Sequence, residues 1–187
     1  MRLLSLVLVP VALFTLAACT SSHATLTPSG GTPVSTDVDA TVTALASGDL
    51  RLQLSRSFGA HAGVEDSGEY VDVAVELDPS AMVPGTLAIA GTMHFDATTM
   101  YLQAGESGTF SFTPGTGHAP AIHGVEVLHG CFCDAHENDV PLSGTLTLTE
   151  VTASRVTGSI HLDLTGTPPG LFAAPSTTVD AEFSATR

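Results

Sequence analysis

The chain has 187 residues, no Lys, five Arg, nineteen Asp plus Glu and eight His, for a formal charge of −14 at pH 7. That balance excludes a polyanion partner such as DNA or RNA, whose binding rests on Lys and Arg neutralising phosphates. There is no Trp and only 5% aromatic residues, so stacking platforms for sugars or bases are not to be expected.

The chain opens with Arg2, followed by an apolar run from Leu3 to Leu16. Such a run is too short for a bilayer core, which takes about 20 apolar residues. The small residues Ala17 and Ala18 then lead into Cys19, the pattern of a signal peptide and its cleavage site. Leu16-Ala17-Ala18-Cys19 resembles the lipobox of bacterial lipoproteins. That resemblance implies that residues 1–18 are removed, that Cys19 receives a diacylglyceryl group on sulfur, and that it becomes the mature, acylated N-terminus. In such lipoproteins Asp after the Cys often marks inner-membrane retention. Here Thr20 follows, which points to the outer membrane of the cell envelope.

Residues 19–37 combine the lipidated Cys with Thr, Ser, Gly and Pro and show no periodicity, so they are expected to form a flexible tether. Its reach of roughly 20–25 Å would hold a domain clear of the headgroups. Residues 38–187 are expected to form one all-β domain, long enough to bury a core.

Within that domain, apolar residues alternate with polar ones at period two. Leu50, Leu52 and Leu54 oppose Arg51, Gln53 and Ser55. Val71, Val73, Val75 and Leu77 oppose Asp72, Ala74 and Glu76. Leu87, Ile89, Met93 and Phe95 share a face, as do Leu146 and Leu148. Val156, Ile160, Leu162 and Leu164 oppose Thr157, Ser159, His161 and Asp163. Val179, Ala181, Phe183 and Ala185 oppose Thr178, Asp180, Glu182 and Ser184. These are half-buried antiparallel strands. Turn chemistry separates them at Ser47-Gly48-Asp49, Asp78-Pro79-Ser80, Pro84-Gly85, Pro114-Gly115 and Pro168-Pro169-Gly170. Nine or ten strands are expected, in an antiparallel β-sandwich first and a closed β-barrel second. The segments 144–151, 155–164 and 179–185 resemble a strand trio of bacterial outer-membrane lipoproteins of the myxobacterial type. That resemblance implies a shared sandwich-like fold and carries no activity.

Chemistry-bearing residues gather between His118 and Asp139. His129, Cys131, Cys133 and His136 form a two-Cys, two-His set of the kind Zn or Cu(I) prefers, and His118 and His123 could substitute or support it. The other reading makes Cys131 and Cys133 a local disulfide, in an oxidising compartment. One intervening residue is tighter than zinc Cys ligands usually take, and it would strain a disulfide ring. Without the metal, no cofactor is implied. His61, Glu65, Asp66 and Glu69 lie in a Gly-rich stretch that reads as a solvated acidic loop, lacking the ordered ligands of an EF-hand. His94 and His161 fall at outward strand positions.

No catalytic motif is present. Gly105 to Gly108 is one residue short of a nucleophile elbow, and His136-Glu137 lacks the second His of a zincin. The expectation is a non-enzymatic, membrane-anchored domain with an envelope or extracellular protein partner. The alternative is a Zn- or Cu-binding envelope protein.

Overall fold

The computed structural model describes residues 21–55, 71–96, 109–129, 138–166 and 175–187. Ten strands account for most of them: β1 (Ser22–Pro28), β2 (Val34–Ala44), β3 (Leu50–Ser55), β4 (Val71–Leu77), β5 (Gly85–Asp96), β6 (Thr109–Pro114), β7 (Ile122–His129), β8 (Asn138–Val151), β9 (Arg155–Thr165) and β10 (Ser176–Thr186). A single 3-10 turn covers Pro79–Ala81, capped by Asp78. The strands form one sheet in the order β6-β5-β8-β9-β10-β1-β2-β3-β4-β7. Its two edge strands, β6 and β7, lie alongside each other, so the sheet curls into a nearly closed barrel. The fold is therefore all-β and antiparallel as the alternation predicts. The single sheet, nearly closed into a barrel, matches the expected all-β sandwich-or-barrel class.

Neighbouring ladders run antiparallel throughout, apart from one parallel bridge between Thr186 and Thr41. Odd-numbered strands therefore all point one way, toward an end called upper here. The connections after β2, β4, β6 and β8 lie at the lower end. Strands β5 to β8 form a Greek key, with β8 returning beside β5 while β6 and β7 continue on its other side.

The inward positions are the alternating apolar residues. Leu26, Leu77, Met93, Phe95, Leu146 and Leu162 are all 0% exposed. Each such side chain contributes roughly 1.5–3 kcal/mol by leaving water, an upper range because unfolded chains already bury part of their surface. Curling the sheet this tightly needs positions without a Cβ. Gly144 and Gly158 both face inward, where an added Cβ would collide with the carbonyl oxygens of His161 and Thr147 respectively.

The tether expected over residues 19–37 is corrected by these strands. β1 is inserted between β10 and β2, pairing His23 with Glu182 and Ser22 with Val38, and Ala24 and Leu26 are fully buried. The Pro and Gly residues that suggest a tether are the β1–β2 turn: Pro28 ends β1, and Gly30 has φ +73°. The alternation is muted because its inward members include Ser22, Ala24 and Thr36, which are small or polar.

At the seam, the connection from β6 to β7 continues along the edge of β5. Gly115 N–H donates to Ala90 O at 2.8 Å and Ala119 N–H to Ala88 O at 2.9 Å. His118 completes the edge. Its Nδ1 accepts from Ala90 N–H at 3.1 Å and its Nε2–H donates to Ile122 O at 2.8 Å, which fixes the neutral Nε2–H tautomer. Its ring rests against Phe112 at a 5.0 Å centroid distance. Deeper in, Val127 N–H donates to the Met93 sulfur at 3.1 Å.

Two substitutions test this account by urea denaturation. Gly144→Ala drives a Cβ into the next strand and should cost about 1–3 kcal/mol, whereas Ser143→Ala on the outer face should be near neutral. His118→Ala removes two hydrogen bonds at the seam and should cost roughly 1–3 kcal/mol. Hydrogen exchange should then show faster loss of the Ala90 amide proton than in the parent.

Candidate functional site

Strand register places the titratable side chains on the outer wall, because each is flanked in sequence by inward apolar residues. The richest group lies across β9, β10 and β1. His161 faces Asp180 directly, and Asp180 in turn faces Thr25. One row away, Ser159 faces Glu182, which faces His23. These residues, with Ile160 and Ala181 beneath, line a shallow groove of about 220 Å³.

His161 is held at both ring nitrogens. Nδ1 lies 2.7 Å from Asp180 Oδ1, and Nε2 lies 3.4 Å from Asp163 Oδ2. Two carboxylates on opposite sides favour the doubly protonated ring. The hydrogen bond to Asp180 is the main cause, and it pushes the His161 pKa above its ordinary 6.5, with partial burial opposing and the charges of Asp180 and Asp163 adding. A general base has to offer an unprotonated nitrogen. In His161 both ring nitrogens already face carboxylates.

Two more His–Asp pairs repeat the theme. His94 Nδ1 lies 2.6 Å from Asp139 Oδ1 across the β5–β8 ladder, and His123 Nδ1 lies 3.1 Å from Asp49 Oδ1 at the lower end. On the opposite wall, Arg51 of β3 joins β4 and β7. Its Nη1 donates to Glu76 and Glu126 at 3.0 Å each, and its Nη2 donates to the second Glu126 oxygen. The hydrogen bond to Glu126 leads in holding Arg51 charged beyond its already high ordinary value. These three strands are cross-linked on the outside by one guanidinium fork.

Hydroxyls fill the remaining outward rows and pair across strands: Thr86 with Thr147 at 3.1 Å, Thr149 with Thr157 at 3.0 Å, and Thr25 with Ser35 at 2.9 Å. A barrel wall that faces lipid carries an apolar band. The described outward positions of β9, β10 and β1 carry Thr, Ser, His, Asp and Glu instead, so this wall faces water or a polar partner.

Of the sequence-predicted site residues, Cys19, Cys131, Cys133 and His136 lie outside the described residues, as do His61, Glu65, Asp66 and Glu69. His129 is the last residue of β7, and its backbone pairs with Val71 at the upper end. His118 and His123, considered as substitute or supporting ligands, stand apart from His129. Both sit at the lower end, and His123 is six residues from His129 along β7, roughly 20 Å at strand rise, far beyond any shared coordination sphere. Among the described residues, no group of three His, Cys, Asp or Glu could hold a metal ion. Sequence reading placed His161 on the surface but missed its partners. The available signal was the matched polar alternation of 157–163 and 178–184, which only a register converts into contacts. No family model, curated protein or solved structure matches the chain.

The His161 pair makes a pH prediction. Its folded-state pKa lies above the ordinary 6.5, so its contribution is complete below about pH 6.5 and fades as pH rises through the raised value. The stability difference between the parent and His161→Gln should therefore be larger at acidic pH than at alkaline pH, by denaturant midpoint. In Asp180→Asn, the His161 ring should titrate at lower pH than in the parent, as read by NMR.

Proposed function

We propose that this chain is a lipid-anchored cell-envelope domain that acts as an interaction or structural module rather than as an enzyme. The order Arg2, Leu3 to Leu16, then Leu16-Ala17-Ala18-Cys19 supports the anchor. Thr20 after the anchor favours the outer membrane. One observation carries the choice of recognition over catalysis: both nitrogens of His161, in the groove of the outer wall, face carboxylates. An imidazole whose two nitrogens already face carboxylates is set to hold a fixed hydrogen-bonding pattern on the wall, which supports the interaction reading.

The partner is a protein of the envelope or its surroundings, meeting a wall of hydroxyl and carboxylate groups. Nucleic acid is excluded by charge. After signal removal, four basic residues face nineteen acidic ones, which also keeps the domain soluble beside its membrane.

The test is to export the full chain, purify it, and combine intact mass, thiol alkylation and elemental analysis. The expected product begins at Cys19 with a diacylglyceryl group, carries unreactive Cys131 and Cys133, and holds no stoichiometric metal. An unmodified Cys19 would overturn the anchor. About one Zn or Cu per chain, lost in Cys131→Ser and Cys133→Ser, would replace the module with a metal-binding protein using His129, Cys131, Cys133 and His136.

A further inference from the structure

The start of β1 has a consequence for how the barrel meets its membrane. Cys19 precedes Ser22 by three residues. Fully extended, three residues span at most roughly 11 Å. Ser22 does not sit at the tip of the barrel. It pairs with Val38 of β2, and its hydroxyl accepts from Ser184 N–H of β10 at 2.9 Å. Beyond that level β2 runs six residues further to Ala44, and β10 runs two further to Thr186. At strand rise those extensions are about 20 Å and about 7 Å. β2 thus reaches further toward the lower end than the anchor segment can span, and β10 reaches most of that way. No spacer remains to lift the domain away.

Charge then distinguishes the ways of touching. The wall on either side of β1 exposes Asp37, Asp39, Asp180 and Glu182, which anionic headgroups repel. The lower rim carries Arg155 and Arg187, two of the four basic residues left after signal removal. Both are tied to the β8–β9 turn. Arg187 N–H donates to Ser154 O at 3.1 Å and its guanidinium to Thr152 O at 3.2 Å, while Arg155 N–H donates to the Thr152 hydroxyl at 3.0 Å. The carboxylates at this end each meet a partner and keep their charge, and Arg155 is itself paired with one of them, which leaves Arg187 the rim arginine without a carboxylate partner among the described residues. Glu150 faces Arg155 at 3.5 Å, Asp49 faces His123 at 3.1 Å, and Asp78 accepts from Ser80 N–H at 2.7 Å. The same end exposes Val83, the large apolar side chain among the described residues that stands out at 59% exposure.

We propose that this lower rim, led by Arg155 and Arg187, rests on the phosphate headgroups of the bilayer that holds the Cys19 lipid. The opposite end then faces away from the membrane. The inference rests on the anchor reading above, and the experiment separates the two.

The chain lacks Trp, so one introduced Trp reports a single position. Ala153→Trp marks the lower rim and Ser29→Trp the β1–β2 turn at the upper end; both are exposed. Each full chain is exported, its acylation checked by intact mass, and the protein reconstituted into phosphatidylglycerol–phosphatidylethanolamine vesicles bearing a headgroup-level nitroxide lipid. Emission at Ala153→Trp should be quenched several-fold more than at Ser29→Trp. Adding Arg155→Gln and Arg187→Gln should reduce that quenching. Acylated protein with equal quenching at both positions, or more at Ser29→Trp, overturns the orientation and leaves the anchor standing. A mass without acyl groups overturns both.

Discussion

A curled sheet has two edges, and everything else in this barrel depends on how they are handled. Unpaired backbone groups at a buried edge cost about as much as lost hydrogen bonds, and exposed edges invite aggregation. Here β6 is too short to cover β5. The segment after it therefore takes over, donating from Gly115 and Ala119 to the carbonyls of Ala90 and Ala88. The Ala90 N–H finds the His118 ring. A side chain does the work of a strand residue, and Met93 sulfur meets the Val127 amide deeper in. Inward glycines make the same closure sterically feasible, since Gly144 and Gly158 sit where a neighbouring carbonyl leaves no room for a Cβ.

The second constraint is electrostatic. With no Lys and few Arg, the acidic side chains of the outer wall have few cations to meet. Arg51 is spent on two glutamates across three strands. Elsewhere the partners are histidines, set opposite aspartates at His161–Asp180 and His94–Asp139. Exposed pairs of this kind contribute little stability. Their effect is on the character of the wall, which becomes less negative as imidazoles gain protons. Arg155, paired with Glu150, and Arg187, donating to the Thr152 carbonyl, lie at one end of the barrel, beside the β8–β9 turn.

These two constraints give the ends and the wall different jobs. The wall offers hydroxyl, carboxylate and imidazole groups in register, and the core behind it is packed with apolar side chains. The insertion of β1 between β10 and β2 uses up the residues that would otherwise have been a tether. An anchor at Cys19 would thereby fix the domain's stance on its membrane as well as its location.

The sequence by itself determined the all-β class, the inward positions and the outward placement of His94 and His161. The reason is local: a strand sends successive side chains to opposite faces, so period-two alternation reads directly as inside and outside. It misread residues 22–37, because inward Ser22, Ala24 and Thr36 carry little hydrophobic signal while their burial comes from neighbours distant in sequence. Tertiary structure alone decided that the sheet curls into a nearly closed barrel, that His118 serves the seam, and that His123 and His129 lie at opposite ends of β7. Each depends on which strands become neighbours and at what register. That is set by long-range packing, and no spacing along the chain encodes it.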